Sequence, residues 1–391
     1  MADLSFEDFK QKITDEIKNY LPEWYQDSTV QINTVQKNNE ALDSITITSP
    51  ESNVCPTIYL NSFYEEYKDG KDIESIMDKI ADIRVNNEIS NDFDVSMITD
   101  FDQVKDKIAA RLVGLEDNAE LLSQRPHETM ADIAVTYSVM LGENENGLMS
   151  VPITNQLMET WGTTKDELYE LALTNMDKLE PSTFRTMNEV LADIMIPKIM
   201  EDSGVDRETA EQMVSDMMPP EDKMFVLSNE QKLNGASALL DDKMMDQVAE
   251  KIGGDFYILP SSVHEVLIVP ADAGMELRDF EAMVQEVNET QVAPQDRLSN
   301  HVYQYDNETH EIFRADKAEE HYMAKEAAEE VNELPADAIA DKPKEKNAPK
   351  RENDKVSLKE RLEEKKKESK SLDKKELDKA VNKTRKTEQS L

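Results

Sequence analysis

The sequence predicts an α+β protein: mixed and antiparallel sheets flanked by helices, followed by a charged tail. Three observations carry this. Apolar residues recur at three- and four-residue steps in some segments and at every second residue in others. Turn signals join several of the alternating runs into hairpins. From Ala315 onward the composition becomes polar and charged. With 391 residues, 38% of them hydrophobic and 32% charged, the chain is long enough for two or three domains.

A helix opens the chain. Phe6, Phe9, Ile13, Ile17 and Tyr20 share one face, Ser5 is its N-cap and Pro22 closes it. Val30, Ile32 and Val35, then Leu42, Ile45 and Ile47, mark two alternating runs, and the polar K-N-N-E between them reads as a hairpin. T-I-Y-L (57–60) is a third short strand, and Ile73, Ile76, Met77, Ile80 and Ile83 mark a helix. The pattern then recurs. I-A-V-T-Y-S-V-M-L (133–141) is a strand, Asn146-Gly147 a hairpin tip and L-M-S-V-P-I-T the returning strand. Thr164 caps a helix carrying Leu168, Leu171, Ala172 and Met176. Residues 1–177 therefore read as an N-terminal α+β domain with a loose internal repeat, 27–90 against 108–176.

Residues 178–222 form a Met- and Pro-rich bridge. Its G-V-D-R-E-T-A-E-Q-M-V-S-D-M-M-P-P suits a short helix, packed on the body or, through flexible thioethers, offered to a partner. Residues 223–314 follow a β-α-β-β-α-β order: M-F-V-L-S, a helix over 235–252, D-F-Y-I-L, V-H-E-V-L-I-V, a helix over 275–287, and H-V-Y-Q-Y. That is the split plan of a ferredoxin-like unit, with E-I-F-R as an added hairpin strand. Residues 315–391 read as a polar helix, a disordered linker and a basic tail.

Charge is unevenly placed. Positions 342–391 hold 18 Lys or Arg and 11 Asp or Glu, a net of +7, while the other 341 residues hold 26 basic and 72 acidic groups, a net of −46. Such a body repels nucleic acid and anionic membranes within about 8–10 Å at ordinary salt and attracts basic partners. Solubility alone would also account for the charge. The opening residues show no signal peptide, no run approaches the roughly 18 apolar residues of a membrane span, and the single Cys55 permits no internal disulfide. A soluble cytoplasmic protein is expected.

The stretch D-F-Y-I-L-P-S-S-V-H-E-V-L-I-V-P (255–270) holds the candidate catalytic residues Ser262 and His264, with His301 and Asp255 as further members of a site at the sheet rim. A hydroxyl close to an imidazole is the raw material of a nucleophile and its base. A strand follows these serines, however, and no G-x-S-x-G is present. Alternation places His264 at the rim of an inner strand, where a structural hydrogen bond is the plainer expectation. Asp92, Asp94, Asp100 and Asp102 are the candidate metal ligands, because clustered carboxylates bind Mg²⁺ or Ca²⁺. The glycine and closing glutamate of an EF-hand are missing, so a solvated acidic loop is the alternative. The five histidines lack zinc-site spacing, and no phosphate-cradling glycine motif occurs. No cofactor is implied.

Several phrases carry a resemblance: E-D-F-K…I-K-N-Y-L-P, P-T-I-Y-L-N-S-F-Y-E-E-Y-K-D-G, V-P-I-T-N-Q-L-M-E-T-W-G-T-T-K-D-E-L-Y-E-L-A, G-G-D-F-Y-I-L-P-S-S-V-H-E-V-L-I-V-P and V-N-E-T-Q-V-A-P-Q-D-R-L-S-N-H-V-Y-Q-Y-D. Over roughly residues 1 to 314 the chain resembles an uncharacterised family, a domain of unknown function widespread in anaerobic gut Firmicutes and often encoded among mobile and conjugative elements. The resemblance implies a bacterial cytoplasmic protein of accessory-element biology. It brings no reaction, cofactor or catalytic residue.

These readings point to a non-enzymatic binding or accessory protein that engages a protein partner, a basic one, through its acidic body and basic tail. Direct binding of nucleic acid by the body, or of membrane, is not expected. One alternative is a DNA mimic of anti-defence type, its carboxylates standing in for phosphates. Another is a hydrolase of unrecognised type with its site near His264.

Overall fold

A computed structural model of the chain describes residues 4–48, 55–87, 96–144, 147–219 and 223–332. The chain divides into a compact unit Met1–Ala327 and a second unit Ala328–Leu391. The linker and basic tail expected after residue 332 lie outside the described residues, as do Asp92, Asp94 and the hairpin-tip residue Asn146.

The first sheet holds β1 (Val30–Lys37), β2 (Glu40–Ile47) and β3 (Ile58–Tyr59), antiparallel in that order. Its register runs from Val30↔Ile47 to Lys37↔Glu40, which leaves Asn38 and Asn39 as a two-residue tip. Asn39 takes the left-handed conformation, φ 59°, which asparagine tolerates better than most residues. Helices α1 (Phe6–Glu16), α2 (Asn61–Lys68) and α3 (Ile73–Asn86) belong to this region. Ser5 caps α1 through the Asp8 amide and Asp72 caps α3 through that of Ser75. Phe9, Ile13, Ile17, Ile45, Ile47, Ile76 and Ile80 form one fully buried core.

Short helices α4 (Ser96–Thr99) and α5 (Phe101–Val104) lead into the second sheet, β4 (Ile108–Gly114), β5 (Glu128–Met130), β6 (Ile133–Asn144) and β7 (Gly147–Pro152). The order is β4-β6-β5, with β7 also on β6. Pairing of Asn144 with Gly147 establishes a hairpin there, with Gly147 the first residue of the returning strand and not part of the tip. Helices α6 (Ala119–Ser123), α7 (Asn155–Trp161) and α8 (Lys165–Leu179) accompany it, the last two capped by Thr154 and Thr164.

The third sheet has six antiparallel strands in the order β13-β12-β10-β11-β9-β8: β8 (Ser182–Thr186), β9 (Phe225–Asn229), β10 (Phe256–Leu259), β11 (Val266–Pro270), β12 (Tyr303–Asp306) and β13 (Glu311–Arg314). Between them come α9 (Met187–Ser203), α10 (Arg207–Met217), α11 (Asp242–Ile252) and α12 (Leu277–Thr290), with α13 (Ala318–Asn332) last. Alternation along the inner strands sorts the side chains by face. Phe256, Ile258, Val266 and Ile268 join a core that also contains Ile108, Val135 and Tyr137 of the second sheet. Leu259 and Val269 pack instead with Phe280 and Val284 of α12. The sheet is thus covered on both faces, as its apolar strands require.

The fold is α+β as expected, and three details differ. The β-α-β-β-α-β element order holds, but the hairpin strands β10 and β11 occupy the centre, whereas a ferredoxin-like sheet places its first and third strands there. The short turn 260–265 keeps β10 and β11 side by side, and β9 and β12 add outside them. The segment read as one helix over 235–252 begins as a buried 3-10 turn, Gly235–Leu240, before Asp241 caps α11. G-A-S-A-L-L has no polar face for solvent, so it wedges into the core. Finally, S-T-F-R-T carries one large apolar residue and no strand period, yet it forms β8 by pairing with β9. No described helix is long and apolar enough to cross a membrane.

Candidate functional site

The Ser262–His264 segment lies in the turn between β10 and β11, so His264 precedes the strand rather than standing on it. The turn is fastened to the loop after α12. Ser262 forms an isolated bridge with Arg297, and Val263 N–H donates to Asp296 O at 2.8 Å. Ser262 Oγ accepts the backbone N–H of His264 at 2.9 Å. The imidazole is engaged elsewhere. Nδ1 accepts the Asn234 N–H at 3.1 Å, and Nε2 lies 3.4 Å from Asp296 Oδ1. Because an amide N–H needs an acceptor, the neutral ring carries its proton on Nε2, facing Asp296. Ser262 and His264 therefore meet through the backbone, and the imidazole acts as a brace between Asn234 and Asp296. Gly235 is required beneath it: a Cβ there would stand 2.5 Å from His264 O and 2.7 Å from Asn229 N.

His301 belongs to a different group. Its Nε2 is 3.8 Å from Asp132 Oδ2, and Arg314 Nη1 is 3.2 Å from the same oxygen. The other carboxylate oxygen of Asp132 accepts the Tyr303 hydroxyl, and Ser299 Oγ lies 2.9 Å from that phenol. Burial, with the Asp132 carboxylate adding to it, pushes the Tyr303 phenol far above its usual pKa. Asp255 sits apart from both histidines, taking the Asn307 N–H at 3.1 Å.

Asp132 and His301 border a cleft of about 280 Å³ whose walls come from Asn39, Gly114–Asp117, Asn288, Pro294 and 297–301. The hairpin tip of the first sheet holds the loop in place. Asn39 Nδ2 donates to Pro294 O at 2.9 Å and to Arg297 O at 2.7 Å, and Asn38 Nδ2 donates to Gln295 O at 2.8 Å. Asn118 clasps Asn39 from the other side, exchanging hydrogen bonds of 2.8 and 2.7 Å. Gly114 permits the close approach, since a Cβ there would meet Leu298 O at 2.7 Å.

Of the acidic candidates, Asp100 and Asp102 lie among the described residues. Asp100 caps α5 through the Asp102 N–H, and the Asp102 carboxylate pairs with Lys105 at 2.6 Å. Among the described residues no group of three His, Cys, Asp or Glu is placed to hold a metal ion. Asp132, Asn288, Arg314 and Asn39 were not legible as members of a site. The one available signal was Asn288, an amide falling four residues after Val284 on the apolar face of α12.

A second feature is the α9–α10 hairpin. Ile196, Ala210 and Val214 are buried between the two helices. On the outside, Leu191 and Ile194 of α9 and Met213 and Met217 of α10 are exposed, Ile194 to 62% and Met217 to 57%. Residues 187–217 hold eight acidic and two basic side chains.

Neither a curated protein nor a solved structure matches the chain. A family model does match, over residues 6–307, and so spans all three sheets except the last strand β13. The chain therefore belongs to the DUF5688 family, a family of unknown function.

Proposed function

We propose that this protein is a non-enzymatic binding protein of the bacterial cytoplasm, and that the α9–α10 hairpin docks a basic, amphipathic segment of a protein partner. The exposed apolar face of the hairpin carries this reading. Leu191 with Ile194, and Met213 with Met217, stand at helical spacings that place each pair on one face. Thioethers adapt to varied apolar surfaces. The net charge of −6 over residues 187–217, within a body at −46, selects a partner with Lys or Arg beside its apolar residues. The accessory-element setting rests on the sequence resemblance.

The test uses the full chain and a synthetic Leu/Lys amphipathic helical peptide, with its Leu/Glu counterpart as control. The basic peptide is expected to bind and the acidic one to fail. Ile194→Glu with Met217→Glu, both on exposed positions, should abolish binding while the far-ultraviolet circular dichroism stays unchanged. Equal binding of the peptide by that double variant would sink the reading.

The charge of −46 favours a second reading, a DNA mimic carried by a mobile element. It expects binding to a nuclease cleft that weakens steeply with salt and is indifferent to the Ile194 and Met217 substitutions.

A further inference from the structure

β1 is the outermost strand of the first sheet, whose order is β1-β2-β3. Leu60 N–H donates to Asp43 O at 2.8 Å, and Asp43 stands opposite Thr34. Thr48 N–H donates to Thr29 O at 3.0 Å, one step beyond the Val30↔Ile47 pair. In an antiparallel ladder the backbone groups that face the partner alternate along the strand. The odd-numbered residues of β1 therefore face β2, and the N–H and C=O groups of Val30, Ile32, Thr34 and Gln36 point outward. Among the described residues none of these groups has a hydrogen-bond partner.

Proline, charge, bulges and brevity are the devices that keep a sheet edge from pairing. Other outer strands use them. β7 ends on Pro152, the five-residue β8 carries Arg185, and the four-residue β13 carries Glu311 and Arg314. β1 runs for eight residues in an unbroken register and contains no proline. Its one charged residue, Lys37, reaches across the sheet to 5.1 Å from the Tyr59 ring and does not guard the edge. Gln31, Asn33 and Thr34 are exposed. Such an edge is a template for a further strand.

The strand itself indicates the partner. Positions 30–36, V-Q-I-N-T-V-Q, are uncharged and rich in β-branched residues. A charged peptide would find no countercharge there, whereas a second copy brings a matching strand. α6 flanks the tip end of β1, where Asn118 holds Asn39. That leaves Val30–Thr34 open, with Ile32 at its middle. We propose that two copies of the chain pair antiparallel along Val30–Thr34, about a two-fold axis through Ile32, to form one continuous sheet. In that register the outward groups of Ile32 meet those of the second Ile32, and those of Val30 meet Thr34. An axis normal to the sheet keeps the core faces of both copies on one side. Ile32 then packs on Ile32, beside the core it touches in its own chain. On the opposite face Gln31 stands against Asn33, amide against amide.

Sedimentation equilibrium of the full chain over a range of concentrations tests this. A monomer–dimer equilibrium is expected. Each chain carries −39, so association should tighten between about 0.1 and 1 M salt, as the screening length falls from about 10 to 3 Å. Gln31→Lys with Asn33→Lys, both at exposed positions, should weaken the dimer at least about tenfold, because like charges then stand opposite each other. Mixing that variant with Gln31→Glu plus Asn33→Glu should restore a one-to-one dimer. Thr34→Pro, which removes an outward N–H and leaves the β2 ladder whole, should abolish pairing. The exposed double variants keep the test informative should Thr34→Pro disturb the strand. A wild-type chain that stays monomeric throughout would overturn the proposal. So would a dimer that Gln31→Lys with Asn33→Lys leaves unchanged, since it would lie on another surface, or a charge-swapped mixture that fails to associate.

Discussion

Arg111 and Glu180 face each other as a two-pronged ion pair inside the protein, Nη1 2.7 Å from Oε2 and Nη2 2.8 Å from Oε1. Their side chains are only 10% and 5% exposed. Arg111 interrupts the apolar run of β4, and Glu180 stands two residues before β8. The pair therefore ties the second sheet to the edge of the third. Arg111 Nη1 also donates to Ala110 O at 2.6 Å, so the guanidinium is well satisfied in its buried setting.

Removing one partner strands the other charge in the interior. Arg111→Ala or Glu180→Ala should each lower stability by about 3–5 kcal/mol, whereas Arg111→Met with Glu180→Leu should recover much of that loss, because well-packed apolar residues often replace a buried pair at little cost. Urea unfolding midpoints of the three variants check this. A double variant as unstable as the singles would contradict the argument.

Asp306 governs acid stability at the end of β12. Burial alone would raise its carboxyl pKa, but the Glu308 and Thr309 amides, Lys325 and His321 outweigh that and hold it at about 2. A folded pKa below the unfolded value gives stability that is complete above the unfolded pKa, near 4, and is lost as pH falls through about 2. The contribution is about 2 kcal/mol at neutral pH. Asp306→Asn should therefore be less stable than the parent at pH 7, and the two should converge in strong acid. Unfolding midpoints recorded across pH decide it. Since Lys325 Nζ is 3.0 Å from Asp306 Oδ2, Lys325→Met should produce a smaller loss over the same acid range.

Gly114 sets how closely the 294–301 loop approaches β4. Gly114→Ala would place a methyl 2.7 Å from Leu298 O, and neither backbone gives way easily. A loss of about 1–3 kcal/mol is expected. Retention of wild-type stability would show that the loop yields.

The Ser262 hydroxyl is a structural acceptor. Ser262→Ala should cost roughly 1 kcal/mol by leaving the His264 N–H unanswered, and Ser262→Thr, which keeps the oxygen, should cost less. Thermal unfolding of both variants measures it. A serine-directed fluorophosphonate probe offers a second readout, and labelling of wild type but not of Ser262→Ala would support the nucleophile reading.

Much of the local structure was legible in the residues. Phe6 to Tyr20, Ile133 to Leu141 and the alternation of 266–269 carry their period in the side chains themselves, and Ser5 and Thr164 announce the helices they cap. Segments without a period were left unassigned or misread. S-T-F-R-T became a strand only because β9 offered it a free edge, and G-A-S-A-L-L lost its helix to close packing against Ser228 and His264.

The candidate sites divide the same way. That Ser262 and His264 lie close together follows from two residues of separation; that the imidazole turns from the hydroxyl toward Asn234 and Asp296 does not. Sequence by itself determined the α+β class, the hairpins, the helix caps and the charge split, because each depends on neighbours within a few residues or on composition. Only the tertiary structure decided that Asn39, Gly114, Asp132 and Asn288 border one cleft. Hydrogen bonds there join residues as much as 259 positions apart, and such meetings come from the packing of sheets and loops, which no local pattern encodes.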